Sequence, residues 1–131
     1  MKSHSTTNQR LGRWGEGVAA DYLTSHGYLI LERNARTPYG EIDIVAQLSS
    51  SNAPLTPQVV FVEVKTRSTT TFGPPEISIT RRKQEHMLAA AQYYLQQHPQ
   101  LSGDWRIDVL AIEQPRQDQP PVITHFENVM Q

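Results

Sequence analysis

The run Val59-Val60-Phe61-Val62-Glu63-Val64-Lys65-Thr66-Arg67 decides how this chain is read. It is rich in valine and bounded by Pro57 and by the polar cluster Ser68–Thr71, the pattern of a β-strand lying centrally in a sheet. Side chains alternate along a strand, so Val60, Val62 and Val64 face one way and Phe61, Glu63, Lys65 and Arg67 the other. Glu63 and Lys65 therefore leave the same face about 6.5 Å apart. Charged groups are rare in such a strand, because burying an ion costs several kcal/mol unless it is paired or bound to a cation.

Working outward, Glu41–Gln47 alternates too, with Glu41, Asp43 and Val45 on one face and Ile42, Ile44 and Ala46 on the other. Tyr28–Glu32 predicts a short strand before it, and Asn34–Gly40 a turn. Leu48–Gln58 has the composition of a hairpin loop. Upstream, Leu11, Trp14, Val18 and Tyr22 recur at helical spacing from Leu11 to about His26, with Gly27 as the stop. On that helix Glu16 falls in a stripe of mostly small residues, Gly12, Ala19, Ala20 and Leu23, which points it toward the protein.

Downstream, Gly73, Pro74 and Pro75 predict an irregular connection suited to an active-site rim. Thr80 caps a second helix running to Gln97, its buried stripe Met87, Leu88, Ala91, Tyr94 and Leu95. Trp105–Glu113 predicts a further strand, with Arg106 and Asp108 paired on one face, and Val122–Val129 an edge strand. Trp14 and Trp105 are expected as core anchors.

The chain has 131 residues and reads as a flexible polar tail over 1–9 and one domain over 10–131. No apolar run approaches the roughly 20 residues that cross a bilayer, so the expectation is a cytoplasmic protein without membrane contact. Cysteine is absent, which excludes disulfides and thiolate metal sites. The five histidines show no metal-ligand spacing and are expected at surface or cap positions, so a zinc site is not expected. A net charge of −1 argues against a whole-surface grip on nucleic acid. Arg33, Arg36, Arg67, Arg81, Arg82 and Lys83 nevertheless flank the acidic strands.

Taken alone, Glu63 and Lys65 make an ordinary ion pair on a solvated face, and Asp43 a strand-end cap. The apolar surroundings, the second acidic strand and the inward Glu16 favour a shared site instead. Converging carboxylates repel, and a hard divalent cation such as magnesium resolves the repulsion. Carboxylates, a cation and a lysine together suit hydrolysis of phosphodiesters.

Gly12–Leu23 (GRWGEGVAADYL), Gly40–Ala46 (GEIDIVA), Val59–Arg67 (VVFVEVKTR), Phe72–Glu76 (FGPPE) and Trp105–Ile112 (WRIDVLAI) together resemble the YraN-type family of small bacterial proteins. That family belongs to the restriction-endonuclease-like superfamily, with archaeal Holliday-junction resolvases among its relatives. The resemblance implies an α/β, three-layer fold, a central mixed β-sheet flanked by helices. It places the PD-(D/E)xK motif on Asp43 and on Glu63-Val64-Lys65, with Tyr39-Gly40 where a proline often precedes the aspartate. By that likeness Asp43, Glu63, Glu16 and the Val64 carbonyl hold Mg2+ or Mn2+, and Lys65 serves the attacking water. The implied partner is nucleic acid, DNA in preference to RNA and branched DNA in particular, with a homodimer as in the resolvases. Arg67 and Lys83 are weaker candidates for contacting phosphate. The alternative function is a non-catalytic nucleic-acid- or protein-binding module that retains the nuclease fold.

Overall fold

The structure, a computed structural model, describes residues 7–50, 53–68, 79–115 and 118–130. The elements in chain order are α1 (Thr7–Ser25), β1 (Tyr28–Thr37), β2 (Gly40–Ser50), β3 (Ala53–Ser68), α2 (Arg81–Gln97), β4 (Trp105–Gln114) and β5 (Val122–Phe126). The strands form one five-stranded sheet in the order β1-β2-β3-β4-β5. All neighbours are antiparallel except β3 and β4, which are parallel and joined through α2. A parallel pair needs such a crossover, because no tight turn can return the chain to the same end of the sheet.

The alternation of β3 builds the three layers. Val60 and Val62, with Ile44, Ala46, Leu110 and Ile112, pack under Ala19, Ala20 and Leu23 of α1. Phe61, with Val45 and Ile107, packs against Ala90, Ala91 and Tyr94 of α2. The small residues of α1 allow a close approach to the sheet. At Gly15 an added Cβ would meet Thr66 of β3, lying 2.8 and 2.9 Å from its Cγ2 and Cβ. Trp14 and Trp105 pack on the two cores as expected, and Trp105 meets Phe61 edge-on at 6.0 Å. Thr80 caps α2, its hydroxyl accepting from the Lys83 N–H at 3.1 Å.

Several boundaries differ from the sequence reading. Helix α1 starts at Thr7, so residues 7–9 of the expected tail are helical. The segment Asn34–Thr37 is strand rather than turn, and the hairpin loop shrinks to Pro38-Tyr39 between the paired Thr37 and Gly40. Asn34 keeps its turn-like conformation, with φ 55, inside the strand. The expected loop Leu48–Gln58 is mostly strand, because an antiparallel ladder needs backbone groups and not β-branched side chains. Its register shifts between the pairs Leu48↔Gln58 and Ser50↔Ala53, a place where Pro57 is tolerated. Strand β5 stops at Phe126, although the Val129 N–H still donates to the Ile107 carbonyl at 2.8 Å. Leu88, expected in the buried stripe of α2, is exposed, and Ala90 takes its place. The predicted connection at Gly73, Pro74 and Pro75 lies outside the described residues.

Candidate active site

The central feature is a fork between β2 and β3. Their pairing reaches Ile44↔Val62 and goes no further toward the start of β2. Beyond the fork, the Val64 N–H donates to Asp43 Oδ2 at 2.8 Å, so a carboxylate takes the place of the next ladder bond. Residues that bond to a neighbouring strand direct their N–H and C=O to the same side, so the Val64 carbonyl faces this gap as well. The kink at Asn34 lies opposite Asp43, between the pairs Arg33↔Ile44 and Ala35↔Ile42. Strict alternation breaks here: Ile42 packs on the α2 side and Ile44 on the α1 side.

Three further carboxylates act on Asp43. Burial is the largest influence on its carboxyl and, together with the charges of Glu16, Glu63 and Glu41, outweighs the Val64 hydrogen bond and pushes its pKa up to about 6. Glu16 is raised as well, first by burial and then by Glu41, against the lowering effects of Arg33 and Asn34. With its amide nitrogen turned toward the acids, Asn34 donates to Glu16 Oε1 and Glu41 Oε1, both at 3.0 Å. Asn34 thus ties the helix-one glutamate to the start of β2. Glu63 accepts an ion pair from Lys83 Nζ at 3.0 Å, and that lysine is half-exposed.

Lys65 follows Glu63 by two residues on β3, partly buried, with Ala111 of β4 as its backbone partner. Arg67, two residues further on, pairs with Glu113 at 3.3 Å. Asp43, Glu63 and Lys83 line a half-open cavity of about 170 Å³ between the start of β2 and the first turns of α2. Its other walls include Tyr39, Ile42, Phe61, His86 and Met87. The structure thus brings Asp43, Glu63 and Glu16 into one electrostatic group and adds Lys83 to Glu63 by direct contact. Sequence reasoning missed Asn34 and the aromatic and apolar walls, since neither strand periodicity nor charge marks them. The only local signal for Asn34 is the tolerance of asparagine for positive φ.

A second polar cluster lies on the α1 face. Asp108, fully buried, pairs with Arg106 as expected, at 3.0 Å, and also accepts from the Asn128 N–H at 2.9 Å. His125 Nε2 meets Asp108 at 2.8 Å, and its Nδ1 meets the Tyr22 hydroxyl at 3.1 Å. This histidine is therefore neither a surface nor a cap residue: it satisfies a buried carboxylate, a role with no signature in sequence spacing. His98, by contrast, is the C-cap of α2, as expected. Burial alone would raise the Asp108 carboxyl, but the hydrogen bonds from His125, Asn128 and Arg106 outweigh it and hold its pKa low. Asp108, His125 and Glu127 bring one ligand atom each within 4.8 Å of one another, a composition able to hold a metal ion. Arg106, which also bonds Glu127 at 3.0 Å, already supplies positive charge there.

A mixed sheet between two helix layers, with acids gathered where two strands part, defines an α/β protein of restriction-endonuclease-like fold. The profile of the uncharacterised protein family UPF0102 matches residues 15–112, and the chain belongs to this family, the YraN family. A UPF0102 protein of Syntrophomonas wolfei is 45% identical over 105 residues, covering 80% of this chain and 85% of that one. One from Geobacter metallireducens is 41% identical over 127 residues, 97% of each chain. One from Moorella thermoacetica is 43% identical over 112 residues, 86% and 88% of the two chains. No helix among the described residues is long and apolar enough to cross a membrane.

Proposed function

We propose that the protein is a magnesium- or manganese-dependent endonuclease that hydrolyses phosphodiester bonds in DNA, with branched or otherwise structured DNA as its substrate. The observation that carries this reading is the Asp43 carboxyl, fixed at the strand fork by the Val64 N–H among the charges of Glu16, Glu63 and Glu41. Such a group is unfavourable without a cation, and its donors are all hard oxygens, the set that magnesium and manganese take. Asp43, Glu63, Glu16 and the Val64 carbonyl would hold the ion. When bound, it supplies neutralisation of phosphate charge and a lowered pKa for water.

The chain's own groups do the rest. The Val64 N–H fixes the orientation of Asp43, and Asn34 holds Glu16 and Glu41 against their mutual repulsion. Lys65, on the face of Glu63, orients the attacking water and stabilises the charge that develops on the phosphate. Lys83 leaves Glu63 for a substrate phosphate once the carboxylate is otherwise neutralised. DNA is preferred to RNA, and a two-fold dimer would allow paired cuts on a branched substrate.

The test is calorimetric titration of Mg2+ and Mn2+ into the wild type and Asp43→Ala, followed by incubation of both with a labelled four-way junction and a linear duplex. Metal binding and cleavage that both disappear in Asp43→Ala support the nuclease, and the ratio of the two substrates shows whether branching matters. No metal binding by the wild type refutes catalysis. The net charge of −1 favours a second reading, a non-catalytic nucleic-acid- or protein-binding module that keeps the fold. In that case Asp43→Ala retains its affinity or gains some as repulsion is relieved.

A further inference from the structure

The cavity beside Asp43 and Glu63 is not needed for a phosphate alone. Its lining combines apolar side chains, Ile42, Phe61, Met87 and Ala90, with the charged or polar ones of Glu41, Asp43, Glu63, Lys83 and His86. Its volume of about 170 Å³ exceeds the roughly 150 Å³ that suffices for one benzene ring in a protein interior. Tyr39, half-exposed, borders it on the hairpin tip, and its ring lies edge-on to Tyr93 of α2 at 6.3 Å. A recess with room for one ring, lined by apolar side chains and by charged ones and bordered by an aromatic residue, has the volume and chemistry of a nucleobase site.

We infer that this cavity receives a single unpaired base next to the phosphate that is cut, so that the enzyme acts where one nucleotide has left the stack. The inference rests on the endonuclease reading and gives it a substrate class. A paired base lies inside the duplex stack and reaches a recess of this kind only by rotating out, and the free-energy penalty for that is smallest at a mismatch or an already unpaired position. Branch points supply such nucleotides, so the cavity accounts for a preference for branched DNA without contacts to a junction as a whole. Two of the carboxylates that would hold the metal, Asp43 and Glu63, line the same recess, which sets the phosphate of the extruded nucleotide beside them. Tyr39 at the rim offers a face on which the base stacks, an interaction tolerant of base identity.

The experiment uses the full chain with Mg2+ and three versions of one end-labelled duplex that differ at a single nucleotide: paired, mismatched or abasic. The mismatched duplex is expected to be cut at least tenfold faster than the paired one, at the phosphate adjoining the mismatch, and, read in the labelled strand that carries the altered nucleotide, faster than the abasic one, which has no ring at that position. Met87→Trp fills the recess and should reduce the preference for the mismatched over the abasic duplex at least tenfold. Tyr39→Ala, at an exposed position where folding is not at risk, should reduce it at least fivefold. Equal cutting of paired and mismatched duplexes overturns the base site while leaving the nuclease intact. The base site is overturned in the same way if the abasic duplex is cut as fast as the mismatched one, or if both variants keep the wild-type preference. No cutting of any duplex or of a four-way junction by the wild type refutes the nuclease reading, and the base site with it.

Discussion

Replacing Asp43 by asparagine should make the metal-free protein more stable at pH 8, a result opposite to that of most substitutions at a buried polar position. The Asp43 carboxyl stands at about 6 in the folded chain against 3.8 as its ordinary value. The folded state therefore holds its proton more tightly than the unfolded state, and stability falls as pH rises from about 4 to about 6 and stays level above. A difference of about 2 pK units corresponds to about 3 kcal/mol. Asparagine keeps an oxygen to accept from the Val64 N–H but carries no charge, so it removes that penalty. The expected gain is about 3 kcal/mol at pH 8, shrinking to about half a kcal/mol at pH 4, where the wild-type carboxyl is protonated in the fold. Urea unfolding in the presence of a chelator at both pH values reads this difference directly. Magnesium at about a thousand times its Kd should then reverse the order, because it stabilises only the wild type, by about 4 kcal/mol. An Asp43→Asn protein that is less stable than wild type at pH 8, with a deficit independent of pH, would refute the account of a strained carboxylate awaiting a cation.

Three further outcomes can be measured. Lys83→Ala removes the cation that competes for Glu63, so calorimetry should show magnesium binding severalfold more tightly, while the salt dependence of DNA binding loses a slope of about 1. Asp108→Ala takes a shared acceptor from Arg106, His125 and the Asn128 N–H, leaving Arg106 its bonds to Glu127, Gln58 and Tyr28, and should lower unfolding stability by about 1–3 kcal/mol, seen as an earlier urea midpoint. Because the Asp108 carboxyl is held below its ordinary value, its contribution is present above about pH 4 and fades as the pH falls through the depressed value, so the mutant deficit should narrow in acid. Gly15→Ala pushes a methyl into Thr66 and should destabilise by about 1–3 kcal/mol, with a loss of magnesium affinity as α1 lifts Glu16 away from Asp43.

The acidic residues were legible because charge is conspicuous in strand sequence. Asp43, Glu63 and Lys65 stand out among valines and isoleucines whether or not the fold is known. The stripe on α1 likewise announced a packing face: Ala19, Ala20 and Leu23 are buried, while Gly12 has open space beside it and the closest approach to the sheet falls at Gly15, outside the expected stripe. The hairpin limits were less legible. Asn34–Thr37 and the described residues 48–50 and 53–58 carry turn-forming residues, yet ladder bonds to the neighbouring strand hold them in the sheet, with Asn34 itself as a positive-φ kink between the pairs on either side. Leu88 was misplaced because a helical stripe predicts which residues share a face and not where the sheet beneath ends.

Sequence alone determined the alternating and helical periods, and from them the α/β class, the two-faced central strand and the identity of the acids. These are local properties, set by backbone geometry and side-chain type over a few residues. Only the tertiary structure decided that β2 and β3 part after Ile44↔Val62, that Asp43 turns to bond Val64, that Asn34 bridges Glu16 and Glu41, and that Lys83 reaches Glu63. It also placed an apolar recess beside the carboxylates and a satisfied Arg106–Asp108–His125 network on the opposite face. Each of these joins residues from different elements, and their distances depend on how far neighbouring strands stay paired and how closely the helices settle on the sheet, which no local period encodes.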